Sequence, residues 1–114
     1  MTSIRIFSDL HIEFGKKVID GCIKICSKMK TKYIILAGDI TDFENREEIL
    51  TELVNKLRPY TDNIIYILGN HEYYKKGKST NIVEIYREIC TRLGIYFLEN
   101  EYLETDDYVF YGTT

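Results

Sequence analysis

The sequence predicts an α/β domain: a mostly parallel sheet of βαβ units with helices on both faces. Three observations lead there. Short apolar runs at residues 4–9, 33–37 and 63–68 alternate with longer stretches at helical spacing. Each run closes on an oxygen-bearing side chain, at Asp9, Asp39 and Asn70. At 114 residues, 45% apolar and 29% charged, the chain has the size and composition of one soluble core spanning residues 1–114. Strands alternating with helices pair in parallel through right-handed crossovers.

Each element has its own signal. Residues 4–9 read as a strand ending in acid. Residues 15–30 are helical, with Val18, Cys22 and Cys26 on one stripe and Ile19 and Ile23 beside it. Residues 33–37 are uniformly apolar, as a strand buried on both faces should be, and run into Gly38-Asp39. The helix predicted at 45–58 turns Ile49, Leu50, Leu53, Val54 and Leu57 inward, and Pro59 marks its end. A third buried strand at 63–68 leads to Gly69-Asn70-His71. The next helix, 80–93, uses Ile82, Val83, Tyr86, Ile89, Cys90 and Leu93, with Gly94 as its cap. A fourth strand follows at 95–98. Residues 101–104 and 108–111 form a hairpin around Thr105-Asp106-Asp107.

The net charge of −3 gives no reason to expect a strongly basic face for nucleic acid, whose binding stays open, and does not exclude phosphate chemistry on a bound cation. No apolar stretch approaches the roughly 20 residues of a membrane span, so no membrane partner is expected. Met1-Thr2-Ser3 leads straight into a strand with no signal peptide, and the three cysteines cannot all pair within one chain. A reducing, cytoplasmic location is the expectation.

In parallel sheets ligands sit beyond the carboxyl ends of strands, and that edge collects the polar residues here. The three segments are Ser8-Asp9-Leu10-His11, Gly38-Asp39-Ile40-Thr41-Asp42 and Gly69-Asn70-His71-Glu72. In extended chain Asp9 and His11 point the same way and can reach one metal. Asp39 has two carboxylate oxygens with which to bridge two ions, and Asn70 adds a neutral oxygen. Gly38 and Gly69 permit tight turns before the ligands. Mixed oxygen and imidazole donors suit Mn, Fe or Zn better than Ca.

These segments resemble the D-x-H, G-D-x-x-D and G-N-H-[DE] motifs of the calcineurin-like metallophosphoesterases, in order and each after a predicted strand. Ser-Asp-Leu-His-Ile-Glu-Phe and Gly-Asn-His-Glu-Tyr-Tyr are similar to a small-phosphoesterase subgroup. Phe43 departs from the Arg of the large protein phosphatases. The resemblance implies two divalent metal ions, manganese among the candidates, and a phosphoester substrate. A metal-bridged hydroxide would attack phosphorus. Asp9 and His11 would bind the first ion, Asp39 would bridge, and Asn70 would bind the second. His71 would act as general acid, with Asp42 orienting it.

The family pattern also asks for three further histidines downstream, and the chain holds only His11 and His71. Tyr111-Gly112-Thr113-Thr114 resembles the start of a further strand of that subgroup. The expectation is therefore the first half of a two-sheet sandwich, from a truncated or split gene product or a proteolytic remnant. Its partner would be a complementing C-terminal fragment or a second copy. The competing expectation is an inactive fragment or pseudoenzyme serving as a binding module.

Other features have plainer readings. Asp42 serves equally as a helix N-cap. Cys22 and Cys26 pack in the core. Glu13 and Glu72 read as groups behind the ligands or at the surface. Tyr73 and Tyr74 either line a pocket or pack. Residues 75–80 end like a phosphate-binding loop but carry Glu72 where that motif needs Gly, so they read as a solvated lysine-rich loop.

Overall fold

A computed structural model of the chain describes residues 3–12, 15, 17–41, 46–73 and 82–114. The elements run β1 (Ile4–Phe7), α1 (Lys17–Lys28), β2 (Thr31–Ala37), α2 (Arg46–Leu57), β3 (Thr61–Ile67), α3 (Ile82–Leu93), β4 (Tyr96–Phe97), β5 (Glu101–Glu104) and β6 (Val109–Gly112). β1 to β4 form one parallel sheet in that order, and β5 and β6 form an antiparallel ribbon. The α/β architecture with a parallel sheet is thus present.

Alternation along β2 and β3 divides the core in two. Ile34, Leu36, Ile64 and Tyr66 face a cluster built from Ile19 and Cys26 of α1, Leu50, Leu53, Val54 and Leu57 of α2, and Ile82, Tyr86, Ile89 and Cys90 of α3. Tyr33 and Ile65 point the other way, with Leu98, Ile35 and Ile67, onto Leu103 and Phe110 of the ribbon. This corrects the expectation of helices on both faces: among the described residues all three helices share one face. Strands laid down in sequence order with right-handed crossovers wind in one direction only, so each helix returns on the same side. Covering both faces needs a reversal of strand order, which the order 1-2-3-4 lacks.

Local chemistry sets the boundaries. α2 stops at Leu57, where Pro59 tightens Arg58–Tyr60 into a 3-10 turn. Gly94, at φ 72°, ends α3, and Ile95 N donates to Cys90 O at 3.0 Å. β4 is two residues rather than four, although Leu98 N still donates to Tyr66 O at 3.0 Å. The ribbon is fastened to the sheet at its turn. Tyr33 Oη lies 2.8 Å from Thr105 Oγ1 and 3.0 Å from Asp107 Oδ2, while Lys32 Nζ sits 2.6 Å from Asp107 Oδ2. No helix of the described residues is long and apolar enough to cross a membrane.

Cys22, Cys26 and Cys90 are free and buried, as the core reading expects. Burial pushes the Cys22 thiol up to about 11 and the Cys90 thiol up to about 12. Both therefore stay protonated at neutral pH, where only thiolate reacts. Titration of the native protein with a thiol-reactive disulfide at pH 8 should find no fast-reacting group, and the denatured chain should show three. A fast native thiol would contradict this packing.

Candidate functional site

Three loops leave the carboxyl edge of the sheet side by side, after β1, β2 and β3. The first is laced to the second through main chain. Asp9 N donates to Gly38 O at 3.0 Å, His11 N to Asp39 O at 3.1 Å, and Ile12 N to Ile40 O at 2.8 Å. The parallel pairing of β1 with β2 thus continues in modified form to Asp9 and His11.

The backbone there is not extended. Asp9, His11 and Asp39 have φ of 55°, 48° and 53°, and Asn100 is the other described non-glycine residue with positive φ. The premise that Asp9 and His11 share a direction through an extended chain is corrected: each sits in the left-handed region. That conformation costs an L-residue roughly 1–2 kcal/mol, and such residues gather where surrounding structure holds a functional geometry. Three of the four residues expected to bind metal are held this way.

Two glycines bring the second and third loops into contact. A Cβ on Gly38 would lie 2.9 Å from Gly69 Cα, so the two backbones touch. A Cβ on Gly69 would lie 2.4 Å from Asp39 Oδ1 and 2.6 Å from Asp39 N. The Asp39 carboxylate therefore occupies the space Gly69 leaves open, next to Asn70. Asp39 and His11 are half-buried, while Asp9 and Asn70 are exposed.

The third loop carries a residue whose weight the sequence does not reveal. Glu72, within the 3-10 turn His71–Tyr73, is 0% exposed, which rules out the surface alternative and leaves the reading of a group behind the expected ligands. Its Oε1 accepts from Asp39 N at 2.9 Å and from Gly69 N at 2.7 Å. Its Oε2 accepts from Ile40 N at 2.8 Å, from Thr41 N at 3.4 Å and from Tyr66 Oη at 2.7 Å. Burial, and then the charge of Glu72, hold the Tyr66 phenol well above the usual range, so it remains a hydroxyl donor. A carboxylate taken out of water needs such a set of donors. The only signal in the sequence is an acid directly after Gly-Asn-His.

His71 is placed by its backbone, between Asn70 and Glu72. Asp42, Phe43, Glu13, Tyr74 and residues 75–80 lie outside the described residues; Tyr73 is exposed. Among the described residues no group of three His, Cys, Asp or Glu side chains is gathered to hold an ion by itself. The donor types of Asp9, His11, Asp39 and Asn70 nevertheless suit a divalent first-row cation, and the Asp39 carboxylate lies against Gly69, the residue before Asn70.

Residues 2–113 match the family model described as calcineurin-like phosphoesterase. The chain is 31% identical over 126 aligned residues to an uncharacterized protein of Acanthamoeba polyphaga mimivirus, an alignment covering 100% of this chain and 44% of that protein. Its fold is similar to that of a phosphopantetheinyl hydrolase from Mycobacterium tuberculosis, with a TM-score of 0.65 and 17% identity over 92% of this chain and 38% of the other. At that identity the likeness concerns fold alone. The chain spans less than half the length of either protein.

Proposed function

Because this chain belongs to the calcineurin-like phosphoesterase family, we propose that its sheet edge is the first half of a metal-dependent phosphoester-hydrolysing site. The observation that carries this reading is the left-handed backbone at Asp9, His11 and Asp39, three neighbours on one sheet edge held together by main-chain hydrogen bonds. Asp9 and His11 would hold one divalent ion, Asn70 a second, and Asp39 would be shared between them. Such ions supply charge neutralisation at phosphoryl oxygens and a water acidic enough to attack near neutral pH.

The chain's own residues do the rest. The laced loops present Asp39 and His11 at a fixed spacing before substrate arrives, which lowers the reorganisation needed on binding. His71, next in sequence to Asn70, would be the proton donor to the leaving oxygen in this reading, with Asp42 as the residue that would orient it. With His11 and His71 both assigned, further imidazoles would come from outside these 114 residues, in continuous chain or in a partner polypeptide. The same count favours a second reading, in which the isolated chain binds metal and phosphoester without turnover.

The test is a hydrolysis assay with Mn²⁺ on a generic phosphodiester and a monoester, comparing wild type, Asp39→Asn and His71→Ala. The hydrolase reading expects His71→Ala to lose at least about 100-fold, in line with the removal of a general acid, and Asp39→Asn to lose its rate together with the shared metal ligand. Equal rates in all three remove the hydrolase assignment for this chain. Metal-dependent phosphoester binding without a measurable rate selects the second reading.

A further inference from the structure

Glu72 is buried, and among the described residues its carboxylate accepts five hydrogen bonds. Four of the donors are backbone N–H groups and the fifth is the Tyr66 hydroxyl. Their distribution matters more than their number. Oε1 takes one N–H from Asp39 and one from Gly69, which lie in different loops. Oε2 takes Ile40, Thr41 and Tyr66, and so fixes the carboxylate plane against β3. A single oxygen thus sets the distance between the main chain of Asp39 and the residue preceding Asn70. The Asp39 carboxylate is bounded from the other side, because its Oδ1 lies where a Gly69 Cβ would be.

We propose that Glu72 is a positioning residue for the metal-binding set. Its carboxylate clamps the Asp39 and Asn70 loops at one separation, so that ion affinity depends on a side chain that does not touch the ion. This rests on the reading of the sheet edge as a metal site. A carboxamide at this position has one acceptor oxygen and turns an N–H₂ group toward donors, so Glu72→Gln breaks one side of the clamp while keeping size. Groups behind metal ligands typically change affinity by about 10–100-fold when removed.

The experiment uses the 114-residue chain with two readouts. One is metal-free amide hydrogen exchange at Asp39, Ile40, Thr41 and Gly69. The other is Mn²⁺ affinity from the electron paramagnetic resonance of free Mn²⁺. Leu53→Ala, a core change on α2 that removes none of the hydrogen bonds of the clamp, controls for lost stability. Glu72→Gln should speed exchange at those amides and weaken Mn²⁺ binding by about 10–100-fold, while Leu53→Ala stays near wild type in affinity. Unchanged exchange in Glu72→Gln overturns the clamp. Faster exchange with wild-type affinity, or an equal affinity loss in Leu53→Ala, overturns the positioning role and leaves Glu72 a fold residue. Should Glu72→Gln fail to fold, Tyr66→Phe removes one donor from Oε2. It should then speed exchange at Ile40 and Thr41 and weaken Mn²⁺ binding, and wild-type behaviour in either respect overturns the proposal. A wild-type chain that binds no Mn²⁺ overturns the inference through the reading beneath it. The exchange data then show whether the clamp itself was sound.

Discussion

Gly69→Ala is expected to destabilise the protein by about 1–3 kcal/mol or more and to remove metal binding with it. The added methyl would stand 2.4 Å from Asp39 Oδ1 and 2.6 Å from Asp39 N. The carboxylate could swing aside, but the nitrogen cannot, because Asp39 N donates to Glu72 Oε1 at 2.9 Å and the adjoining Asp39 carbonyl accepts from His11 N at 3.1 Å. Relief therefore requires the second and third loops to separate, which breaks the clamp and moves Asp39 away from Asn70. Urea denaturation gives the stability change, and Mn²⁺ titration of the folded fraction gives the binding change. A variant with wild-type stability would show that the two loops are not in contact.

Asp39→Asn separates chemistry from fold. Asn tolerates the left-handed region better than most residues, so φ of 53° is retained at little cost. The backbone bonds to Glu72 and from His11 do not involve the side chain and persist. The melting temperature should stay within a few degrees of wild type. What disappears is the negative charge shared between the proposed ions. The expected loss of Mn²⁺ affinity exceeds the roughly 100-fold upper end found for groups that stand behind ligands. Asp39→Ala is a poorer probe, since it adds backbone strain to the loss of charge.

Much of this arrangement is legible in the residues. The apolar runs 33–37 of β2 and 64–67 of β3, the helical stripes of α1, α2 and α3, and the polar residues at the strand ends follow from periodicity and composition. The placement of α1, α2 and α3 on one face does not, because strand order is a tertiary property that local pattern leaves open. The left-handed turns at Asp9 and His11 are hidden for a related reason: Asp and His accept both extended and left-handed backbone, and cross-strand bonds to Gly38 and Asp39 select between them. Glu72 is the clearest case. An acid in a turn is ordinarily solvated, and only the convergence of residues 39, 40, 41, 66 and 69 provides the donors that let it be buried.

The most direct test of the proposed metal edge is Mn²⁺ binding to the wild-type chain and to Asp39→Asn, with circular dichroism and melting curves taken on the same samples. The wild type should bind Mn²⁺ saturably, and Asp39→Asn should lose that binding while melting within a few degrees of it. Equal binding by the two folded proteins, or none by a folded wild type, would contradict the assignment of Asp39 and its neighbours as a metal site.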